Sequence, residues 1–465
     1  MSKFDFSNYQ STFTWRYGTD EMRKIFSEEN KYKIWRKIWV ALARAEAKAG
    51  LVSKEELGDL EKQKDNIDIQ VILENEKETK HDVVAAIREF AEKAKIGGGK
   101  IHLGATSMDI VDNTDAIRIK EALQIVEEKI KGLFKILSGK IERYANMPCI
   151  GYTHLQPAEP TTVGYRLSFY AQDLLADFNF LQFVKQEIKA KGMKGAVGTA
   201  ASYAAVLEGT NVSHENLEHA VMEELGIEAV LISTQVASRK YDHLVLSVLN
   251  SIASSIAKFA GDLRILQSPS IGEWSEPFGE KQVGSSAMPF KQNPINSEKI
   301  CSLARYIAAL PGIALENATL SYLERTLDDS ANKRIIIPEA FLAVDEILMT
   351  AEKLFEGLVI NEQKIAFNLS LYAPFAATEG ILVAAVKQGA NRQVMHELLR
   401  TISLTAWQAV QTGKTNPMET LLVTNQEIKK YVPQETIIKL LDVTHHIGTA
   451  PERAIKLVGK IQKIA

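Results

Sequence analysis

The residues best suited to chemistry lie between Lys281 and Lys299, in the string KQVGSSAMPFKQNPINSEK. Two adjacent hydroxyls, Ser285 and Ser286, are followed by the ammonium of Lys291 and the amide of Asn293. That set can cradle a carboxylate and stabilise charge developing on it. Gly279 and Gly284 permit hinge dihedrals that other residues resist, and Pro289 and Pro294 stop a helix from running through. The pattern predicts an irregular loop over 279–294 between two helical stretches. Long irregular segments inside compact domains are commonly lids or binding loops, whereas an arbitrary Ser/Lys/Pro-rich stretch is more often a solvated connection.

Other stretches offer complementary groups. In GYTHLQPAEPTTVG, residues 151–164, His154 sits among Thr153, Gln156 and Thr161, in a loop tightened by Pro157 and Pro160. A lone histidine is more often structural; the alternative is a general acid. In IHLGATSMDIVDN, residues 101–113, Thr106 and Ser107 offer hydroxyls, or they simply cap a helix ahead of Asp109. Lys80, His81 and Asp82 precede an apolar face of Val83, Val84, Ile87 and Phe90. Ser330 and Arg334 are four apart, so on a helix they share a face and could hold one phosphate. Taken singly, such an arginine is as well explained by an ion pair with Glu324, Asp328 or Asp329. The GGGK run lacks the spacing of a phosphate loop and no strand precedes it. No H-x-x-x-H pair occurs, and His445 and His446 lack obvious ligand neighbours, so no metal is expected.

These groups need elements to hold them. Apolar residues recur at helical spacing in Ile34, Trp35, Ile38, Trp39 and Leu42, and along the stripe Ile119, Leu123, Val126, Ile130, Leu133 and Leu137. Long helices are predicted over 117–145, 162–191, 238–266, from 294 past 314, and over 327–358, with Pro311 and Pro338 expected to kink or reset the last two. Helices near thirty residues span roughly 45 Å, which suits a bundle. Small residues on the third, Ser251, Ala253, Ser254, Ser255 and Ala257, let neighbours approach closely. Beyond 361 the helices shorten, with Gly413 at a helix end and Pro417 beyond it. Period-two alternation is scarce. The expected fold is all-α in three helical domains: 1–111, beginning with an arm over 1–20, then 112–361 as a bundle of very long helices bearing the 279–294 loop, and 362–465 as a cap.

The 465 residues exceed one ordinary core. Net charge is -3, so no general attraction to nucleic acid or acidic membrane is implied. Two cysteines, Cys149 and Cys301, argue for a reducing compartment, and their simplest role is as small buried hydrophobes. With no apolar signal core and no run of about 18 apolar residues, a cytoplasmic protein without membrane partners is expected.

The string from Gly284 to Asn293 resembles the signature G-S-S-x-M-P-x-K-x-N of the fumarase and aspartase superfamily. The T-H-x-Q-P-A string and the 101–113 block resemble its other two blocks. Within it, LERTLDDSANKRIIIPEAF at 323–341, TQVASRKYD at 234–242, SEKICSLARYI, WRYGTDEM and THLQPAEPTTVG are similar to the adenylosuccinate lyases, most of all the branch with the animal enzymes. The likeness runs from about Arg16 to about Leu399.

The resemblance implies β-elimination of fumarate from adenylosuccinate, giving AMP, and from succinyl-aminoimidazole carboxamide ribotide, giving AICAR, in purine synthesis. It implies no cofactor, and a homotetramer in which three chains share each site. Carried over position by position, His154 is the general acid and Ser285 the general base. Lys291 and Asn293 stabilise the carbanion, Thr106 and Ser107 meet a carboxylate, Gln235 meets the succinyl or amide portion, and Arg16 with Tyr17 meets the nucleotide. His81 holds phosphate or orients the acid; Lys80, Asp82, Lys299, Arg325, Ser330 and Arg334 complete the substrate-binding set. A substrate with a phosphate and two carboxylates needs such a cation cluster. Gln292, Lys299 and Lys80 stand where these enzymes usually carry arginine, and lysine lacks the bidentate fork. Phe290 replaces a more polar residue. Competing readings are another superfamily lyase, such as argininosuccinate lyase or a carboxymuconate cycloisomerase, and a crystallin-like structural protein. The Ser330/Arg334 block and the run Ala287 to Phe290 disfavour the first, and retention of Ser285, His154 and Lys291 the second.

Overall fold

Ile34, Trp35, Ile38, Trp39 and Leu42 are all buried on one helix of the computed structural model, α1 (Glu28–Lys48). Ser27 starts that helix by accepting from Asn30 N–H. The structure describes residues 7–279 and 281–465; the first six residues of the expected arm and Glu280 of the expected loop lie outside it. Helix α2 (Ile69–Thr79) ends at Lys80, left-handed at φ 53°, and His81 caps α3 (Asp82–Lys93). On α3, Val83 and Phe90 are buried and Ile87 half-buried, but Val84 is exposed. It lies about 100° round the helix from Val83.

Five long helices follow: α4 (Ser107–Tyr144), α5 (Val163–Glu187), α6 (Lys240–Leu266), α7 (Ile295–Thr319) and α8 (Asp328–Gly357). The stripe from Ile119 to Leu137 is buried throughout. Pro311 and Pro338 lie inside continuous helices, so neither resets the pattern. The Pro311 carbonyl accepts from His243 Nδ1 at 2.9 Å. Helix α4 begins ten positions before the predicted start at 117. Its first turns are polar yet buried: Asp109, Asp112, Asn113 and Thr114 all face the interior, so no apolar stripe announces them.

The expectation of an all-α fold holds, with two small sheets added. Strands β1 (Pro148–Thr153) and β2 (Gln156–Thr162) form an antiparallel hairpin, and β3 (Trp274–Ser275) pairs with β4 (Val359–Ile360). The hairpin replaces the loop expected around His154. Its two strands are both edges, where Pro157 and Pro160 are tolerated because a missing N–H faces no neighbour.

The chain divides into two compact units, and every division falls inside a long helix. The first unit holds the described residues up to Lys129, with Asp177–Ser254 and Leu303–Met349. Its interior contains charged groups that hold helices by pairing. Lys333 Nζ lies 3.9, 3.2 and 3.5 Å from Asp112, Asp115 and Asp242. Arg239 bonds both Asp112 and Asp329. Burial alone would raise the Asp112 pKa; Arg239 and Lys333 hold it below the usual carboxylate range.

The second unit holds Ile130–Ala176, Ser255–Ser302 and Thr350–Ala465. Phe259 and Phe355 stack at 4.1 Å within it. Its C-terminal helices, α9 (Ala377–Lys387) and α10 (Arg392–Gln411) among them, build a core of their own around Ile381, Leu399, Leu422 and Ile437. Gly413 is left-handed at φ 78°, as a helix end requires. Cys149 is buried there, its thiol pushed up to about 12 by desolvation, and Cys301 is half-buried.

Two stretches, Lys240–Leu266 and Glu362–Lys387, are long and apolar enough, by length and composition alone, to cross a membrane. Half of the first stretch's apolar window is buried within the protein, where Leu246, Leu249, Ile252, Ile256 and Leu263 serve as core.

Candidate functional site

The described residues after β3 are irregular as far as Pro294, and α7 begins at Ile295. Gly284 is required there: a Cβ would sit 1.9 Å from the Lys291 carbonyl oxygen. Asn293 Nδ2 donates to the Gly284 carbonyl at 2.9 Å, closing the loop across its neck. Ser285 Oγ accepts from the N–H groups of Ala287 at 3.3 Å and Met288 at 3.1 Å. Two donors aimed at one hydroxyl oxygen favour its deprotonated form. Ser285 is half-buried, while Ser286, Lys291 and Phe290 are exposed. Lys299 is half-buried in the second turn of α7.

In the same unit His154 occupies the tip of the β1–β2 hairpin. Thr153 pairs with Gln156, leaving His154 and Leu155 as a two-residue turn with φ 53° and 59°. Positive φ at both central residues is the type I′ pattern, normally supplied by Asn-Gly. A histidine and a leucine there are strained, and such strain concentrates at functional sites. The imidazole is exposed. The hairpin's base is fixed by the fully buried Glu273, which accepts from Tyr152 Oη at 3.1 Å, Arg166 Nη1 at 3.0 Å and Asn368 Nδ2 at 3.0 Å. Arg166 also donates to the Ile150 carbonyl. Burial and the Glu273 carboxylate push the Tyr152 hydroxyl well above its ordinary range. Glu273 immediately precedes β3, so one carboxylate holds both the hairpin and the approach to the loop.

The first unit gathers a second group. His81 Nδ1 accepts from Val84 N–H at 3.4 Å, so Nε2 carries the proton and faces Ser107 Oγ at 3.4 Å. Asp82 Oδ1 lies 3.7 Å from His81 Nδ1, and Arg334 Nη2 donates to Asp82 Oδ2 at 3.1 Å. Lys80 adjoins them. Ser107 opens α4 and Thr106 precedes it, so the N–H groups and dipole of a 38-residue helix point at this group. Asp109 anchors the block: it accepts from Thr106 N–H at 3.0 Å and Tyr203 Oη at 3.1 Å, and pairs with buried Lys191. Ser330 and Arg334 do share α8, and Arg334 pairs with Asp82 rather than with Glu324, Asp328 or Asp329.

Other expected residues have contacts of their own. Arg16 lies over the rings of Trp15 and Tyr17 at 5.7 and 5.9 Å. Gln235 N–H donates to the Glu324 carbonyl at 3.3 Å, next to Arg325. Sequence reasoning missed Glu273, Arg166 and His102. His102 is left-handed at φ 68°, and its Nδ1 accepts from Trp39 Nε1 at 3.0 Å. Burial holds its pKa down at about 4, so it is neutral. Only the glycine-rich context flagged it.

A family profile described as "Lyase" matches residues 15–308, and one described as "Adenylosuccinate lyase C-terminus" matches 374–456. The adenylosuccinate lyase of Saccharomyces cerevisiae is 37% identical over 98% of this chain and 95% of its own length. Those of Schistosoma mansoni and Methanocaldococcus jannaschii are 36% and 37% identical, over 97% and 94% of this chain and 94% and 93% of theirs. Among solved structures, a 3-carboxy-cis,cis-muconate lactonizing enzyme from Pseudomonas putida superposes with TM-score 0.85 at 23% identity, covering 98% of this chain and all of that one. A fumarate lyase from Mesorhizobium sp. BNC1 gives 0.84 at 22%, covering 97% and 99%. At such identities the likeness is one of fold.

Proposed function

The chain belongs to the adenylosuccinate lyase family, and we propose that it eliminates fumarate from adenylosuccinate, releasing AMP. Succinyl-aminoimidazole carboxamide ribotide presents the same succinyl-amino group and ribose phosphate, and is cleaved to AICAR in the same way. The observation that carries this reading is the Ser285 hydroxyl, which receives two backbone N–H groups inside the family's signature loop.

In the proposed reaction Ser285 takes a proton from the succinyl carbon beside a carboxylate. Negative charge moves into that carboxylate, where Lys291 and Asn293 stabilise it; one such donor is typically worth roughly 3 kcal/mol. The C–N bond then breaks, His154 protonates the leaving nitrogen, and the remaining four carbons depart as fumarate. An unassisted serine is far too weak an acid for this role, and the Ala287 and Met288 N–H groups supply the assistance. Thr106 and Ser107, at the start of α4, receive a carboxylate. Lys80, His81, Ser330 and Arg334 receive phosphate, with Asp82 orienting Arg334. Lys299 and Arg325 add positive charge, Gln235 meets the succinyl or amide portion, and Arg16 with Tyr17 meets the base and ribose.

The exposure of His154 at its hairpin tip supports a site completed by other copies of the chain. The proposed assembly is a homotetramer, cytoplasmic, in which three chains share each site. The division into 1–111, 112–361 and 362–465 is part of the same proposal. The test is ultraviolet absorbance of the purified protein with adenylosuccinate, argininosuccinate run in parallel, and sizing chromatography of the active fraction. Conversion to AMP with stoichiometric fumarate, in a tetramer-sized peak, is expected. Turnover of argininosuccinate alone, or full activity in a monomer peak, would overturn the substrate or the assembly respectively.

A further inference from the structure

We propose that Gln267 is a positioning residue for the elimination: its side-chain amide clasps both ends of the loop that carries Ser285. This rests on the assignment of Ser285 as base. Gln267 directly follows α6, and its own N–H donates to the Leu263 carbonyl at 2.8 Å, so its backbone continues that helix's bonding. Its side-chain Oε1 accepts from Glu276 N–H at 3.0 Å, on the outgoing end of the loop. Its Nε2 donates to the Gln292 carbonyl at 3.0 Å, on the returning end. One planar group thus fixes two backbone points that flank Ser285.

Glu276 extends the clasp to α7. Its carboxylate is 6% exposed and accepts from Asn296 N–H at 3.2 Å, Asn296 Nδ2 at 3.0 Å and Ser297 N–H at 2.6 Å. The two backbone N–H groups are orphan donors of the α7 N-terminus. The outgoing end is therefore held to α6 through Gln267 and to α7 through its own side chain. Just past the returning point Asn293 closes the neck on Gly284, and between the two points the Ala287 and Met288 N–H groups meet Ser285 Oγ. Relaxing the clasp moves the hydroxyl relative to its donors and to whatever it must deprotonate.

The job requires glutamine's chemistry. A donor and an acceptor must project from one amide; glutamate keeps only the acceptor, and methionine keeps neither. The clasp uses the main-chain carbonyl of residue 292, so the side chain there is free to vary.

The test uses the full-length protein carrying Gln267→Met, Gln267→Glu and, separately, Ser285→Ala. A misplacement of the reacting group by about 1 Å can cost 10²-fold, so kcat in Gln267→Met should fall about 10- to 100-fold while KM stays within about threefold. Gln267→Glu should fall between that variant and the parent. Tm should be unchanged, amide hydrogen exchange at Ala287 and Met288 faster, and the acid limb of the kcat/KM profile moved to higher pH. A kcat equal to the parent's in Gln267→Met, or a loss that only follows the unfolded fraction, overturns the proposal. Parental turnover in Ser285→Ala overturns the base assignment instead; a fall in kcat with faster exchange in Gln267→Met would then still support the clasp on whichever loop group replaces the serine.

Discussion

Arg334 Nη2 donates to Asp82 Oδ2 at 3.1 Å, joining α8 to the first turn of α3 across most of the first unit's sequence. The Arg334 side chain is 68% exposed and Asp82 only 23%. Asp82 takes one nitrogen of the guanidinium and orients it, and the largely exposed group leaves its other donors for an anion.

Replacing Arg334 should therefore weaken substrate binding more than folding. A hydrogen bond to a charged group contributes about 1.5–3 kcal/mol, so Arg334→Met should raise KM for adenylosuccinate about 10- to 100-fold. Arg334→Lys keeps the charge without the fork and should fall between. Tm should barely move, because so exposed a pair adds little stability. Steady-state kinetics beside a thermal melt would check this, and an unchanged KM would remove Arg334 from the phosphate group.

Ser285→Ala and His154→Asn should each lower kcat about 10²- to 10⁴-fold, the usual range for a lost acid or base. Substrate binding, measured calorimetrically, should survive in both. Parental turnover in either variant would cancel that residue's role.

Glu46 is completely buried and neither carboxylate oxygen has a hydrogen-bond partner. Burial raises its pKa from 4.5 to about 8, with Lys100 opposing. The folded state thus holds a proton that the unfolded chain gives up above about pH 4.5. Its contribution is fully present below that pH and is lost as the pH rises toward 8. Glu46→Gln should stabilise the protein by about 2–4 kcal/mol at pH 8, with the gain shrinking toward pH 5. Denaturant melts at the two pH values would show it; a pH-independent difference would mean the carboxyl is ionised in the fold.

Lys333 is enclosed by Asp112, Asp115 and Asp242. Removing one partner from a buried ionic group typically costs 3–5 kcal/mol, so Lys333→Met should destabilise by about that much. Burial already raises the Asp242 pKa against the pull of Lys333 and Arg239. Without Lys333 the carboxyl should protonate more readily, so the deficit should be smaller at pH 5 than at pH 8. Adding Asp242→Asn should recover part of the loss, and no recovery would show that the cluster's charge is not what the lysine balances.

Apolar periodicity was enough to read most of the helices. The stripe from Ile119 to Leu137 and the aromatic face of α1 are buried as their spacing implies. Periodicity failed where burial is ionic. The start of α4 is hidden behind Asp109 and Asp112, which go inside because Lys191, Arg239 and Lys333 come to meet them, and Asn113, which bonds main-chain groups of Asp109 and Gly192. No local pattern carries that information. The hairpin escaped notice because its strands contain three prolines, Pro148, Pro157 and Pro160, and its turn lacks the Asn-Gly that usually announces one. Within the site, hydroxyls and cations were identifiable from their motifs. Glu273 and Gln267 were not: their value lies in backbone groups and side chains far along the chain, which spacing does not encode.

The two-residue turn at His154 and Leu155 makes length itself a constraint on this protein. One residue inserted between Thr153 and Gln156 would convert the turn to a three-residue loop with a different exit angle and re-aim the imidazole, even with every side chain retained. Point changes at 155 should be graded by how well each residue accepts a left-handed backbone, with asparagine and glycine mildest and the β-branched residues worst. Insertions or deletions there should be null. In a library of variants, position 155 would stand out as a place where amino-acid identity drifts while the length of the turn, and His154 beside it, do not.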